Sequence, residues 1–206
     1  MKTKFLMQQT IIAAALLIAG GAANAGLTFV PTDTVTRTEA FNIGGFATLP
    51  VGSSLSIGHL DYTGPGSQTV TYTFLGQESG FTDKFYDILG GTTLLESNPI
   101  GTSVSSLVSA TGPLNFKFEG NSGKFAFNGG TWDTGTSIGL IGTNMLIGST
   151  TYQYVLGYND SAGSSRLGDW DDFVIGVSAV PEPETYAMML IGLGLIGFSI
   201  RKQKVR

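Results

Sequence analysis

Apolar and polar residues alternate along several short stretches in the middle of the chain. Val70, Tyr72 and Phe74 fall on one side of such a stretch, and the threonines between them fall on the other. A period of two predicts β-strands with one buried face. The same pattern recurs at 114–118, 125–127, 152–158 and 173–177. Weaker candidates lie near 27–30, 39–47, 54–60, 102–109 and 137–147.

Turns separate these candidate strands, and helical periodicity is lacking between residues 26 and 179. Gly64-Pro65-Gly66, Gly90-Gly91 and Asn128-Gly129-Gly130 are typical turn sequences. Many short strands at regular spacing predict an all-β fold, an antiparallel β-sandwich or jelly-roll-like domain. We expect its aromatic residues to form the core and a Thr-rich face of each sheet to meet water.

The first 25 residues have the layout of a signal peptide. Lys2 and Lys4 supply a positive start, an apolar run follows, and Ala23-Asn24-Ala25 offers small residues for cleavage before Gly26. We expect the mature protein to start at Gly26 after cleavage by signal peptidase.

The last 27 residues, 180–206, have three parts. Pro181-Glu182-Pro183 comes first, an apolar run over 186–200 follows, and the basic residues Arg201, Lys202, Lys204 and Arg206 end the chain. As a helix the apolar run would rise about 22 Å, which is short for a transmembrane helix. The positive-inside rule places the basic end in the cytoplasm and the preceding domain outside the inner membrane.

This three-part layout resembles the PEP-CTERM sorting signal of exported bacterial proteins. The resemblance implies an exosortase that recognises Pro181, Glu182 and Pro183 and cleaves nearby. It also implies a transient inner-membrane anchor, and then a place at the cell surface or outside the cell, in contact with exopolysaccharide. Phe81-Thr82-Asp83-Lys84-Phe85 further resembles the F-x-D-x-F subgroup of such proteins.

Charge and composition exclude several classes of function. Five basic and thirteen acidic residues lie between Gly26 and Val180, a net charge of −8, which disfavours nucleic acid as a partner. The chain has no cysteine, and its one histidine, His59, lies in a strand-like stretch without a nucleophile motif. We therefore predict no enzyme activity, although a hydrolase of unfamiliar type is kept as an alternative.

An acidic turn before the last strand is the main candidate for a cofactor site. Its carboxylates, together with one from the preceding loop, offer the hard oxygen ligands that calcium prefers. The four candidate ligands are Asp160, Asp169, Asp171 and Asp172. The alternative is that these aspartates cap a turn and keep a strand edge soluble.

Trp170 lies among these aspartates and is the aromatic residue that we most expect to be partly exposed. An exposed indole on a β-sandwich can stack on a sugar ring, which predicts a carbohydrate-binding module as an alternative function. The main expectation is a non-catalytic surface or matrix protein associated with biofilm. The expected organisation is a signal peptide at 1–25, a β-sandwich at 26–179 and a sorting signal at 180–206.

Overall fold

The chain folds into antiparallel β-sheets, as the period-two pattern predicts. The computed structural model describes residues 26–37, 51–120, 123–160, 169–181 and 190–196. The predicted signal peptide, the candidate strand at 39–47, and the Pro-Glu-Pro and basic parts of the tail beyond Pro181 lie outside these ranges. The described strands are β1 (Leu27–Thr36), β2 (Ser54–Tyr62), β3 (Gln68–Gly76), β4 (Lys84–Asp87), β5 (Thr92–Leu95), β6 (Ser103–Val108), β7 (Gly112–Pro113), β8 (Phe116–Gly120), β9 (Lys124–Phe127), β10 (Ser137–Ile147), β11 (Thr150–Asn159) and β12 (Phe173–Pro181).

The strands form two sheets of different size. The larger sheet has the order β1-β2-β10-β11-β12-β3-β6, with β7 also paired to β2. The smaller sheet has the order β5-β4-β8-β9. The pairing of β10 with β11 carries a register shift between Leu140 and Gly142, and β1 carries one between Pro31 and Asp33. Strands distant in sequence, such as β2 and β10, are therefore neighbours in the larger sheet.

The main core lies between the two sheets, which makes the domain sandwich-like. Alternate residues of the larger sheet, such as Tyr72 and Phe173, pack against Phe85, Phe116 and Phe118 of the smaller one. Aromatic rings dominate the contact; the ring centroids of Tyr72 in the larger sheet and Phe85 in the smaller one are 4.9 Å apart. The prediction of an aromatic core is confirmed for β3, β8 and β12 because their period-two faces are buried.

The prediction that Phe125 and Phe127 of β9 face the core is wrong. Phe125 and Phe127 are only half-buried, whereas Ala126 between them is buried in the main core. The register places Ala126 opposite the buried Phe118 of β8, and cross-strand partners share one face of a sheet. The two phenylalanines therefore lie on the outer face of the smaller sheet.

The expectation that the outer face of each sheet meets water is also wrong for the larger sheet. A second apolar cluster, which includes Leu55, Ile57, Val155 and Val174, lies on the face opposite the main core. Trp170 belongs to this cluster and is fully buried. The expectation that its indole is partly exposed is therefore wrong, because the segment before β12 folds over this face.

One buried asparagine ties the two sheets together. Oδ1 of Asn128, just after β9, accepts a hydrogen bond from the backbone N–H of Leu60 at 2.7 Å. Its Nδ2 donates to the carbonyl oxygens of Leu60 and Leu114, both at 2.8 Å. These three bonds satisfy buried backbone groups between β2 of the larger sheet and the strands of the smaller one.

Candidate functional site

The four predicted calcium ligands are divided between two groups. Asp169 and Asp171 act electrostatically on Arg37, at the end of β1. Asp160, after β11, and Asp172, before β12, lie together instead. Asp171 and Asp172 are consecutive residues of an extended segment, and consecutive side chains in such a segment point to opposite sides. Their two carboxylates therefore have different neighbours. Asp169 acts on both groups, since its charge also raises the pKa of Asp172.

Asp169 and Asp171 have a structural role as negative charges that act on the buried Arg37. It is 1% exposed, and its backbone is paired with that of Ser53 and Gly52. Burial lowers the pKa of Arg37, whereas the negative charges of Asp171 and Asp169 oppose that effect. A buried guanidinium needs such compensation, because an isolated buried charge is strongly destabilising. The negative charges of these two carboxylates therefore partly offset the burial of the guanidinium.

The second group forms where the two sheets meet, and we name it the carboxyl cluster: Asp83, Asp160 and Asp172. The backbone N–H of Asp160 donates to Oδ2 of Asp172 at 2.7 Å, and the hydroxyl of Ser79 donates to Oδ2 of Asp160 at 2.8 Å. Asp83, just before β4, packs over Gly120: a Cβ added there would overlap its Oδ1 and lie 3.3 Å from Cβ of Asp160. Both sheets thus contribute to the cluster.

Burial and the repulsion of nearby carboxylates raise the pKa of Asp83 and of Asp172. Burial first, and then the negative charge of Asp160, raise the pKa of Asp83 to about 8. Burial is also the main reason why the pKa of Asp172 lies well above its usual range, and the charges of Asp160 and Asp169 add to it. The cluster also acts on a neighbour, since burial and the charges of Asp83 and Asp160 raise the pKa of Tyr158.

Asp83 was missed as a candidate ligand, although a signal for it was present. It is the central residue of Phe81-Thr82-Asp83-Lys84-Phe85, and it is fully buried. Strand β4 begins directly after Asp83, at Lys84. Across the described ranges, no three histidine, cysteine or acidic side chains are placed to hold a metal ion as they stand.

Aromatic rings also gather on the outer face of the smaller sheet, which we name the aromatic face: Tyr86, Phe125 and Phe127, with Lys117. The rings of Phe125 and Phe127 meet edge to face at 5.0 Å. Nζ of Lys117 lies 4.5 Å from the centroid of the Tyr86 ring and 2.6 Å from Oε2 of Glu119. This half-exposed surface combines flat apolar rings with one cation and one anion.

His59 lies near a carboxylate rather than near a nucleophile motif. Its Nε2 is 3.4 Å from Oδ1 of Asp61, and both side chains are about one-fifth exposed. The two residues share the same strand, β2, two positions apart on one face. This pair supports the reading of His59 as a structural residue of the strand.

Side-chain exposure increases along the last part of β12. Val177 of β12 is fully buried, whereas Val180 is 53% exposed. Residues 190–196 are helical, and Leu190, Ile191 and Leu195 are each more than half exposed. None of the helical segments within the described ranges has the length and apolar character needed to cross a bilayer.

Comparison with protein-family models decides what this tail is. Residues 179–204 match the model of the PEP-CTERM protein-sorting motif. The chain carries a PEP-CTERM motif. It is thus an exported protein with a C-terminal sorting tail, and the motif implies processing by an exosortase. Neither the curated proteins nor the solved structures contain a match to this chain.

The PEP-CTERM match includes residues of all three parts of the predicted tail and ends at Lys204, two residues before Arg206. The match begins at Ala179, the last residue of the compact unit Gly26–Ala179. It includes Pro181-Glu182-Pro183 as well as Arg201, Lys202 and Lys204. The predicted sorting signal is therefore confirmed as a motif, and assignment to the F-x-D-x-F subgroup stays a prediction.

Proposed function

We propose that this protein is a non-catalytic component of the cell surface or extracellular matrix, released from the inner membrane when an exosortase cuts its PEP-CTERM tail. The single observation that carries the proposal is the family match at residues 179–204. The signal-peptide layout of residues 1–25 supports the same route, because it directs the chain across the inner membrane.

The geometry at the end of β12 suits removal of the tail. Ala179 is half-buried against the main core, and the chain becomes exposed at Val180. A cut beyond Val180 therefore removes no buried residue of the β-domain. Proteases cut preferentially at exposed chain next to a folded domain, and Val180 is exposed.

The charge pattern supports an inner-membrane stage before release. The apolar run of residues 186–200 is followed by Arg201, Lys202, Lys204 and Arg206. Basic residues near a membrane segment hold that end in the cytoplasm. The tail then serves as a temporary anchor that presents Pro181-Glu182-Pro183 on the outer side of the membrane.

Intact-mass measurement on cell fractions of the native host tests this route. We expect a mass that starts at Gly26 and ends close to Pro181, found outside the inner membrane. Replacing Pro181, Glu182 and Pro183 by alanine should leave the uncut chain in the inner membrane fraction. The matched control is alanine at Glu184 and Thr185, which should be cut as before. An uncut wild-type chain that stays in the inner membrane would contradict the proposal.

A carbohydrate-binding function is a second candidate, and the aromatic face favours it. Stacking on sugar rings needs exposed aromatic surface, which Phe125 and Phe127 offer and the buried Trp170 does not. Binding to the host's exopolysaccharide should fall at least tenfold in Phe127→Ala. Phe81→Ala is the control, because Phe81 is 50% exposed and lies outside the aromatic face. Equal binding by both variants would remove this candidate.

A further inference from the structure

We propose that β6 is an open sheet edge to which a second copy of this chain adds its own β6, antiparallel, to form a symmetric dimer. Strand β6 lies at one end of the larger sheet, where β3 is its neighbour among the described strands. An edge strand can bind another strand because it carries a row of unpaired backbone groups. Such a dimer needs only the folded β-domain and does not depend on the export route proposed above.

Every second residue of β6 directs its backbone N–H and carbonyl away from β3; these residues are Ser103, Ser105 and Leu107. The N–H of Phe74 donates to the carbonyl oxygen of Thr102 at 2.9 Å, and the pairing continues from there without a register shift. Antiparallel strands alternate hydrogen-bonded pairs with pairs whose side chains lie closer together. Ser105 belongs to the second kind, since its Oγ is 2.8 Å from Oγ1 of Thr71. Within the part of the chain that the structure describes, nothing pairs with these outward backbone groups.

The other sheet edges carry features that hinder pairing with another chain. On β1, at the opposite end of the larger sheet, Pro31 and the register shift before Asp33 interrupt the edge. The edge strands β5 and β9 of the smaller sheet have only four residues each. Proline, bulges, charged residues and short length all keep an edge strand from binding another strand. Strand β6 has six residues, all paired in one register, and contains neither proline nor a charged residue.

Charge favours this edge as the place of contact between two copies. Five basic and thirteen acidic residues lie between Gly26 and Val180, so two copies repel each other over most of their surface. Residues 97–116 contain no charged side chain, and neither does β3 next to β6. Contact along β6 therefore brings two negatively charged domains together through an uncharged strip.

A pair of β6 strands centred on Ser105 uses all of the outward backbone groups. Ser105 then lies opposite Ser105 of the second copy, and Ser103 of each copy lies opposite Leu107 of the other. Each of these three pairs exchanges two hydrogen bonds, which gives about six in total. The dimer is symmetric because the same surface of each copy takes part in the contact.

The same register brings an exposed apolar residue next to an apolar cleft. The cleft has a volume of about 180 Å³ and lies at the end of β6, where Leu89, Leu107 and Ala110 contribute to its walls. Ile100 is 68% exposed, and it precedes Ser105 by as many residues as Ala110 follows it. Ile100 of one copy therefore comes opposite Ala110 of the other. A cavity of about 150 Å³ accepts a benzene-sized molecule, so the cleft has room for this side chain. This match within one chain points to a second copy as the occupant.

Disulfide cross-linking of the full chain tests the pairing, because the native sequence has no cysteine. Ser105→Cys, purified in mild detergent and treated with oxidised glutathione, should form a covalent dimer on a non-reducing gel. The Cα atoms of a hydrogen-bonded antiparallel pair lie about 5.5 Å apart, which a disulfide can span. Thr34→Cys, on the exposed part of β1, is the matched control and should stay monomeric on the gel. Equal cross-linking of the two variants would overturn the proposal.

A mixture of two cysteine variants tests the register. Tagged Ser103→Cys should link to untagged Leu107→Cys more readily than either variant links to itself, because these positions lie opposite each other only in the antiparallel pair centred on Ser105. Predominant linkage of each variant to itself would overturn this register.

Sedimentation velocity over a range of protein concentrations tests the dimer without cysteines. Ser105→Lys places two like charges at the symmetry axis and should abolish dimerisation, whereas Thr34→Lys adds the same charge to β1 and should leave it unchanged. Both sites are exposed, and an unchanged circular dichroism spectrum checks the fold of each variant.

The cleft and the charge of the domain give two further checks. Ile100→Ala should raise the dimer Kd about tenfold, whereas Leu146→Ala, 69% exposed and outside this edge, should not change it. Salt should strengthen the wild-type dimer, because it screens the repulsion between the two negative domains. A wild-type chain that stays monomeric at every concentration, or a dimer that survives Ser105→Lys, would overturn the proposal.

Discussion

The indole ring of Trp170 lies directly on Gly139, in the space that a side chain at that position would occupy. Gly157 lies opposite Gly139 in the pairing of β10 with β11, and the backbone of Trp170 covers it as well. The two glycines thus form a flat patch on the larger sheet. Nε1 of Trp170 completes the contact by donating to Oγ of Ser137 at 2.8 Å.

Replacing Gly139 by alanine should destabilise the domain. The added Cβ would overlap the indole ring, and overpacking of this kind costs about 1–3 kcal/mol. Gly80→Ala is the control, because nothing lies within 4 Å of a Cβ added there. Urea unfolding should give a lower free energy of unfolding for Gly139→Ala than for the control. Equal values for the two variants would contradict the described position of Trp170.

Truncation of the Trp170 side chain should lower the free energy of unfolding more than Gly139→Ala does. Trp170→Ala removes a fully buried ring from the second apolar cluster, and such changes cost about 3–5 kcal/mol. Tryptophan fluorescence offers a separate check, since a buried indole is poorly quenched by acrylamide. In Trp132→Phe, which leaves Trp170 as the sole indole, emission should stay blue-shifted and resist quenching. Easy quenching in that variant would show that Trp170 is exposed.

Loss of the Asn128 side chain should weaken the junction of the two sheets. Asn128→Ala leaves the N–H and carbonyl of Leu60 and the carbonyl of Leu114 without these bonds, at a cost of about 2–4 kcal/mol. The comparison is Asn98→Ala, which removes one exposed bond to the Leu95 N–H and should cost about 1 kcal/mol or less. Thermal unfolding of both variants measures the difference, and a larger loss in Asn98→Ala would contradict the role of Asn128.

The free energy of unfolding of the domain should fall as the pH rises from 5 to 8. Folded Asp83 keeps its proton up to about pH 8, whereas the unfolded chain loses it near pH 4. Between these values the folded state holds the extra proton, so the free energy of unfolding falls by about 1.4 kcal/mol per pH unit for one such carboxyl. Urea unfolding at pH 5, 6, 7 and 8 measures the slope.

Asp83→Asn serves as the reference for that slope, because its amide is neutral at every pH. The variant should show a shallower decline than the wild type between pH 5 and pH 8. Asp33→Asn should leave the decline unchanged, since Asp33 is exposed. A wild-type stability that rises over this pH range would contradict the raised pKa of Asp83.

Some strands could be predicted from the sequence, because the alternation of their own apolar residues shows which face is buried. Val70, Tyr72 and Phe74 are buried together on β3, and the boundaries of β10, Ser137–Ile147, coincide with the candidate strand at 137–147. On β9 the same reasoning failed, because the register with β8 places Ala126 inside. On β11, Tyr152 joins the second apolar cluster while Leu156 and Tyr158 join the main core. Alternation identifies a strand, but its neighbours decide which face is covered.

By itself, the sequence determined the all-β class and the PEP-CTERM tail, because both can be recognised from residues that follow one another in the chain. Period-two alternation needs only one strand, and the sorting signal needs only the order of its three parts. The tertiary structure decided which acids meet and where Trp170 lies. Asp83 reaches Asp160 only because β4 and β11 belong to sheets that pack together, and Trp170 is buried only because Gly139 and Gly157 are paired. Such contacts join distant parts of the chain, so their residues show no local pattern.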